Sequence, residues 1–76
     1  MNKQQRKRIV AIIEIFDSAM SDIEELKDEE EEKYDNLPES IQCSEKGETM
    51  QAAAEALENA SSSIQEALDS LEEACN

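Results

Sequence analysis

The side chains of this sequence that could do chemistry fall into three groups, well separated along the chain. Four cations lie within residues 3–8, five carboxylates follow one another at residues 28–32, and two cysteines stand at Cys43 and Cys75. There is no His, so neither a Ser–His nor a Cys–His catalytic pair can form. Paired catalytic carboxylates need a sheltered cleft, which the sequence does not indicate. We therefore predict that the chain is not an enzyme.

Signatures of cofactors and metals are missing as well. A single Gly in 76 residues excludes a Gly-rich phosphate loop, and no Asp-x-Asp-x-Asp-Gly calcium loop is present. Two Cys without His do not make a zinc finger, and 3% aromatic residues provide no platform on which bases could stack. We expect no cofactor and no metal.

Length and charge limit the architecture and the partners. The chain has 76 residues, with 20 Asp and Glu against 7 Lys and Arg, for a formal net charge of −13. One domain with a small core fits this length. Repulsion from the acidic chain argues against duplex DNA or RNA as a partner. No run approaches the ~20 apolar residues that cross a bilayer, so we expect no membrane contact.

The start of the chain superficially resembles a secretory signal, because basic residues 3–8 precede apolar residues 9–13. Glu14 and Asp17 interrupt the apolar stretch, and no small-residue cleavage site follows, so we predict no signal peptide. A helix between Cys43 and Cys75 would separate them by about 45 Å, too far for a disulfide. We expect reduced thiols in a cytoplasmic protein, with Cys43 in the turn and Cys75 packed.

Spacings of three and four residues predict a long helix in each half of the chain. The main apolar stripe of the first half is Ile9, Ile12, Phe16, Ala19, Ile23 and Leu26, which Ile13 and Met20 widen. The second half has two heptad repeats, one of Met50, Leu57, Ile64 and Leu71, and one of Ala53, Ala60, Ala67 and Ala74. We expect the four alanines to let the two helices approach closely, with Ala54 and Leu68 flanking that seam.

Pro38 separates the two predicted helices because it cannot continue the first one. We predict helix 1 at about 3–36, a turn at about 37–44 with a short helical segment near 38–42, and helix 2 at about 45–75. Ser44 is the predicted N-cap of helix 2. Gly47 costs up to about 1 kcal/mol against Ala in a helix, so either the helix starts after it or another segment approaches its backbone.

These elements predict an all-α fold, an antiparallel two-helix hairpin with a coiled-coil-like, Ala-rich seam. A lone hairpin of this register would leave Ile13, Met20 and Leu68 exposed. Small chains commonly cover such surface by oligomerising. We therefore predict a homodimer that forms a four-helix bundle, with a homotetramer as the alternative.

Charge is distributed against the helix dipole of helix 1, which disfavours cations at the N-terminus and acids at the C-terminus. The cations Lys3, Arg6, Lys7 and Arg8 either pair with Glu72 and Glu73 or form an anion site. The acidic run is either a solvated helix face or a surface that mimics nucleic-acid phosphates; it consists of Asp28, Glu29, Glu30, Glu31 and Glu32.

The residues of the turn resemble a motif found in other small proteins. The string Tyr34-Asp35-Asn36-Leu37-Pro38-Glu39-Ser40-Ile41-Gln42, followed by Ser44-Glu45-Lys46-Gly47, resembles a motif of small acidic proteins of Firmicutes and their phages or mobile elements. The resemblance covers about residues 28–75, and its second helix is the less specific part. It implies a compact helical protein of the kind that acts against host defences, either by occluding an effector or by trapping a nucleotide-derived immune signal.

Two binding functions and one structural role follow as hypotheses. The leading one is a non-enzymatic anti-defence protein of the bacterial cytoplasm that sequesters a small anionic nucleotide signal in an oligomeric pocket. Its candidate contacts are Tyr34, Asn36, Ser40, Gln42 and Lys46 at the turn, or Arg6, Lys7 and Arg8 at the N-terminus. The alternative is an acidic mimic that occludes a basic groove of a host protein through residues 28–32. The third is an assembly protein without ligand.

Overall fold

The computed structural model describes residues 1–76 as three helices and no strand. Helix α1 spans Lys3–Asp35, α2 spans Glu39–Gln42 and α3 spans Glu45–Cys75. The long helices α1 and α3 pack along each other, and the short α2 packs against α3. The molecule measures 58 × 15 × 12 Å. The prediction of an all-helical fold in which two long helices pack together is confirmed.

The long helices run in opposite directions, as three pairs of neighbouring residues along their length show. At one end the Cys75 Sγ atom lies 4.0 Å from the carbonyl oxygen of Arg6. Farther along, Lys27 Nζ lies 4.0 Å from Glu58 Oε2. Near α2, Tyr34 lines the same groove as Met50. The basic start of α1 therefore lies beside the end of α3, far from the turn.

Helix α1 begins at a capping box that the sequence analysis did not identify. The Gln5 backbone N–H donates to Asn2 Oδ1 at 2.8 Å, and the Asn2 backbone N–H donates to Gln5 Oε1 at 3.1 Å. The signal was the spacing of Asn2 and Gln5, an N-cap residue followed three positions later by a long amide. These two bonds satisfy N–H groups that the first turn of a helix leaves unpaired.

The contact between α1 and α3 follows one line on each helix, again at spacings of three and four. On α1 the buried and half-buried residues of this line are Ile9, Ile13, Phe16, Met20, Ile23, Lys27, Glu30 and Tyr34. On α3 they are Gly47, Met50, Ala54, Leu57, Ser61, Ile64, Leu68, Leu71 and Cys75. The line is apolar near the chain ends and polar toward the turn, where Lys27 and Glu30 replace aliphatic side chains.

This line corrects the predicted register on α1. Ile13 and Met20, expected to be exposed, are half-buried, whereas Ile12 and Leu26 are 41% and 50% exposed. The apolar stripe through Ile9 has two flanks, one with Ile13 and Met20 and one with Ile12, Ala19 and Leu26, and either flank could have faced α3. The observed flank places Met20 rather than the smaller Ala19 on the contact line, but it also places Lys27 there rather than Leu26.

The same correction applies to α3. Leu68, expected at the margin of the seam, is only 3% exposed, and Ala54 is buried. The alanine repeat lies beside the contact line, since Ala53 and Ala74 are exposed and the two alanines between them are half-buried. The expected Ala-rich seam is therefore wrong at both of its ends.

The single chain has a very small core. Four of its 76 residues are buried, and its accessible surface is 5655 Å². A compact monomer of 8.5 kDa exposes about 4,700 Å² by the usual scaling of surface with mass. The excess of about 1,000 Å² reflects the elongated, two-layered shape. None of the helices combines the length and the apolar character needed to cross a membrane.

Candidate functional site: an acidic groove between α1 and α3

An open groove runs between α1 and α3 on one side of the molecule, in the half nearer the turn. It has two parts, of about 620 Å³ and 370 Å³, that are neighbours because Glu58 lines both. We call this surface the acidic groove. Its carboxylates are Glu24, Asp28, Glu30, Glu31, Asp35, Glu55 and Glu58.

The floor of the acidic groove is partly apolar. Tyr34 from α1 and Met50 and Ala54 from α3 line its larger part, and the Tyr34 side chain is half-buried there. One cation, Lys27, lines the groove, and its ammonium group already lies 4.0 Å from the Glu58 carboxylate. An aromatic ring surrounded by carboxylates is a favourable environment for an incoming ammonium or guanidinium group.

The groove exists because of the residues at the contact line. Toward the turn, α3 presents Ala54 and Ser61 to α1, whereas nearer the chain ends it presents Leu68. Small side chains fill less of the space between the helices, and the Lys27 and Glu30 side chains, 25% and 27% exposed, take the places of aliphatic ones there. The lower apolar content of the seam near the turn thus produces both the opening and its charge.

The acidic run of α1 contributes only part of the groove. Because each residue turns the helix by about 100°, five consecutive carboxylates go all the way round α1. Asp28, Glu30 and Glu31 line the groove, whereas Glu29 and Glu32 do not. Sequence reasoning missed the contribution of α3, Glu55 and Glu58, because nothing in the spacing of either helix alone indicates which flanks meet.

The candidate ligand residues at the turn do not form one pocket. Of the five, only Tyr34 lines the acidic groove. Asn36 is the C-cap of α1, and its backbone N–H donates to the carbonyl of Glu32. Ser40 and Lys46 are exposed. The Gln42 side chain is occupied within the chain, since its Nε2 donates to the carbonyl oxygen of Tyr34 at 3.0 Å.

Gly47 has a structural role at this end of the molecule. A Cβ on Gly47 would lie 2.6 Å from the backbone carbonyl carbon of Gln42 and 2.8 Å from its Cα. Helix α3 includes Gly47, so the second of the two predicted explanations, close approach of another segment, is the one observed. Ser44 is the N-cap residue of α3 as predicted, but its hydroxyl donates to Ile41 instead of capping α3.

The candidate cations Arg6, Lys7 and Arg8, together with Lys3, are exposed at the opposite end of the molecule. The expected pairing of these cations with Glu72 and Glu73 does not occur, because the only ion pairs of the chain are Lys27–Glu58 and Lys33–Glu30.

The reason for the missing pairs lies in the register of α3. Leu71 and Cys75 lie on the contact line with α1. Glu73 is two positions from each, on the opposite side of the helix. No group of three or more His, Cys, Asp or Glu side chains is arranged so that it could hold a metal ion. The two cysteines are free, Cys43 exposed and Cys75 partly buried.

Comparison with known proteins adds no relative to this description. The chain matches no protein-family model, no curated protein and no solved structure. The resemblance of the turn motif to small acidic proteins of mobile elements therefore stays a prediction.

Proposed function

We propose that this chain is a non-enzymatic binding protein whose acidic groove holds a basic segment of a partner protein. The observation that carries the proposal is the composition of the groove, which is lined by Tyr34 and by seven carboxylates, of which only Glu58 and Glu30 are paired with a cation of the chain. The resemblance of the turn to proteins of mobile elements implies that this partner is a host defence protein with a basic nucleic-acid groove.

The physical case rests on complementary charge and on the ring. Each exposed carboxylate contributes only about 0.2–1 kcal/mol to an ion pair, but several acting on one segment add up. Tyr34 adds a cation–π contact of about 0.5–2 kcal/mol with an Arg or Lys side chain. The binding is therefore electrostatic in origin and weakens steeply with salt.

The test is calorimetric titration with a short Arg-rich peptide and with the same peptide carrying citrulline, a neutral isostere, in place of Arg. The peptide is expected to bind and the citrulline peptide not to bind. Replacing three carboxylates of the groove with amides (Glu31→Gln, Glu55→Gln and Glu58→Gln) is expected to raise Kd about tenfold.

The matched control changes three exposed carboxylates of α3 that do not line the groove: Glu48→Gln, Glu66→Gln and Glu73→Gln. It alters net charge by the same amount and is expected to change Kd by less than about threefold. Equal weakening by both variants would mean that net charge alone attracts the peptide. No heat with either peptide would leave the third hypothesis, an assembly protein without ligand.

We also propose that the working form is a homo-oligomeric bundle, a homodimer or a homotetramer of antiparallel hairpins. The support is the surface of the single chain, which buries four residues and exposes about 1,000 Å² more than a compact protein of its mass. A standard interface buries about 800 Å² on each partner, so an interface of that size fits within this excess.

A second candidate function is sequestration of a small nucleotide-derived signal, the leading hypothesis from the sequence. The structure offers it one specific observation, that Lys3, Arg6, Lys7 and Arg8 form no ion pair within the chain. The turn is a poorer place for an anion, since the carboxylates around Tyr34 would repel it. We therefore assign this candidate to the basic N-terminal segment.

Titration with cyclic and ADP-ribose-type nucleotides tests the second candidate. Binding that disappears in Arg6→Gln/Lys7→Gln/Arg8→Gln and persists in Glu31→Gln/Glu55→Gln/Glu58→Gln would support it. Absence of heat with every nucleotide would remove it and leave the groove hypothesis unaffected.

A further inference from the structure

One face of the hairpin is apolar and has no partner within the chain. On α1 it contains Ile12, Ile15 and Leu26, which are 41%, 66% and 50% exposed, with Ala19 between them. On α3 it contains the repeat Ala53, Ala60, Ala67 and Ala74. We call these residues together the apolar face.

The two halves of the apolar face belong to the same side of the molecule. The acidic groove brings together one flank of each helix, with Glu24 and Asp28 of α1 beside Glu58 and Ser62 of α3. Ile12, Ala19 and Leu26 occupy the other flank of α1, and the alanine repeat occupies the other flank of α3. Since the helices are antiparallel neighbours, the remaining flanks must also meet on one side, opposite the groove.

We propose that a second copy of this chain covers the apolar face, and that the two hairpins lie in opposite directions so that the turn of each is beside the chain ends of the other. The proposal rests on the self-association proposed above and adds to it the surface and the orientation. Two lines of evidence, one from charge and one from register, support this arrangement over the alternative with both turns at the same end.

Charge distinguishes the two orientations. In the opposite-direction dimer α1 crosses its symmetry mate near Ala19, midway between Ile12 and Leu26. Arg8 then lies at the level of Glu30 in the other copy, and the rest of basic segment 3–8 lies at the level of residues 31–35, where Glu31, Glu32 and Asp35 outnumber Lys33. With both turns at one end, the two acidic runs would instead lie together at that end. Like charges in proximity are unfavourable, and opposite charges give the interface its orientation.

The alignment of α1 against α3 independently gives the same position for the centre of the dimer. The contacts Lys27–Glu58 and Arg6–Cys75 place Ala19 close to the level of Ile64 along the hairpin. The alanine repeat is centred at this level too, between Ala60 and Ala67. One twofold axis therefore relates α1 to its mate and α3 to its mate. It also accounts for the alanines, since small side chains on α3 let the two copies of that helix approach closely.

The first experiment is a charge swap followed by sedimentation equilibrium at low salt. An acid variant (Arg6→Glu/Lys7→Glu/Arg8→Glu) and a basic variant (Glu30→Lys/Glu31→Lys/Glu32→Lys) are each expected to self-associate about a hundredfold more weakly than the natural chain. Mixed in equal amounts they are expected to form a heterodimer, because each basic segment then meets an acidic one. The control Glu48→Lys/Glu55→Lys/Glu66→Lys is expected to dimerise normally.

The second experiment fixes the orientation covalently. In a background of Cys43→Ser and Cys75→Ser, Ala19→Cys is expected to form an intermolecular disulfide on oxidation, and Ile12→Cys is not, since its counterpart lies near Leu26. Stronger self-association of the basic variant alone, with no Ala19→Cys disulfide, would overturn the orientation and favour turns at one end. A monomeric natural chain would overturn the self-association itself, and peptide binding by the groove would still be testable on the monomer.

Discussion

The backbone of Gln42 lies so close to Gly47 that no side chain larger than hydrogen fits between α2 and α3. The Gln42 side chain at the same time donates its Nε2 hydrogen bond to the carbonyl oxygen of Tyr34, 3.0 Å away. One residue thus connects the end of α1, the short α2 and the start of α3. Gln42 therefore has a structural use, because it holds the short α2 against both long helices.

Gly47→Ala tests this close approach, because a helix with an open surface at Gly47 and one in contact with Gln42 predict opposite changes in the free energy of unfolding. On an open helix surface the change to Ala would stabilise the protein by up to about 1 kcal/mol. Here the new Cβ meets the Gln42 backbone, which cannot yield as a flexible side chain could, so we expect a loss of about 1–3 kcal/mol in the free energy of unfolding. Urea unfolding followed by circular dichroism measures it, at one fixed protein concentration.

The matched control for Gly47→Ala is Ser70→Ala, on an exposed position of the same helix. It is expected to change the free energy of unfolding by less than about 0.5 kcal/mol. A gain in stability from Gly47→Ala, in the presence of a neutral control, would show that α2 does not lie against α3 in solution.

The sequence predicted the helices well and the register poorly, for a physical reason. Pro38 marks where the first helix ends and the apolar spacing indicates where each helix runs. Both signals come from residues that are close together in the sequence. Which flank of α1 faces α3 is decided between Met20 and Ala19, or Leu68 and Ala67, and that depends on the partner helix. The acidic groove depends on this choice. Of its carboxylates the sequence indicated three, Asp28, Glu30 and Glu31, and it missed Glu24, Asp35, Glu55 and Glu58.

Leu68→Ala tests the corrected register. Leu68 is the least exposed hydrophobic residue of the chain, at 3%, and removing such a side chain from a core typically costs about 2–4 kcal/mol. If the alanine repeat were the contact line, Leu68 would lie at its margin and the loss would be below about 1 kcal/mol. The free energy of unfolding from urea titration distinguishes the two values, and Leu57→Ala, a half-buried position on the same line, is expected to fall between them.

Tyr34 is expected to contribute through its ring to binding of a basic peptide. Tyr34→Leu removes the cation–π contact while keeping an apolar side chain, so Kd for the Arg-rich peptide is expected to rise about three- to thirtyfold. Tyr34→Phe keeps the ring and is expected to stay within about threefold of the natural chain. The carbonyl group that accepts from Gln42 is unchanged in both variants, which separates the ring from the hydrogen bond. Equal effects of both variants would assign the role to the hydroxyl group.

The two proposed surfaces are compatible because they lie on opposite sides of the hairpin. A dimer formed through the apolar face directs both acidic grooves outward, and each copy stays free to bind a basic segment. The basic N-terminal segment, in contrast, is used both by the proposed dimer and by the second candidate function. If it lies beside the partner copy's acidic run, it is not available to a nucleotide, so a strong charge-swap result weakens the second candidate function.

The cysteines report on the packing of the chain ends. Cys43 is exposed at the turn, whereas Cys75 is partly buried with its Sγ 4.0 Å from the carbonyl of Arg6. A thiol reagent such as dithionitrobenzoate is therefore expected to modify Cys43 in a fast phase and Cys75 in a slower one. The single variants Cys43→Ser and Cys75→Ser assign the two phases, and full unfolding in urea should make them equal. Equal rates in the folded protein would mean that the end of α3 does not stay packed against the start of α1.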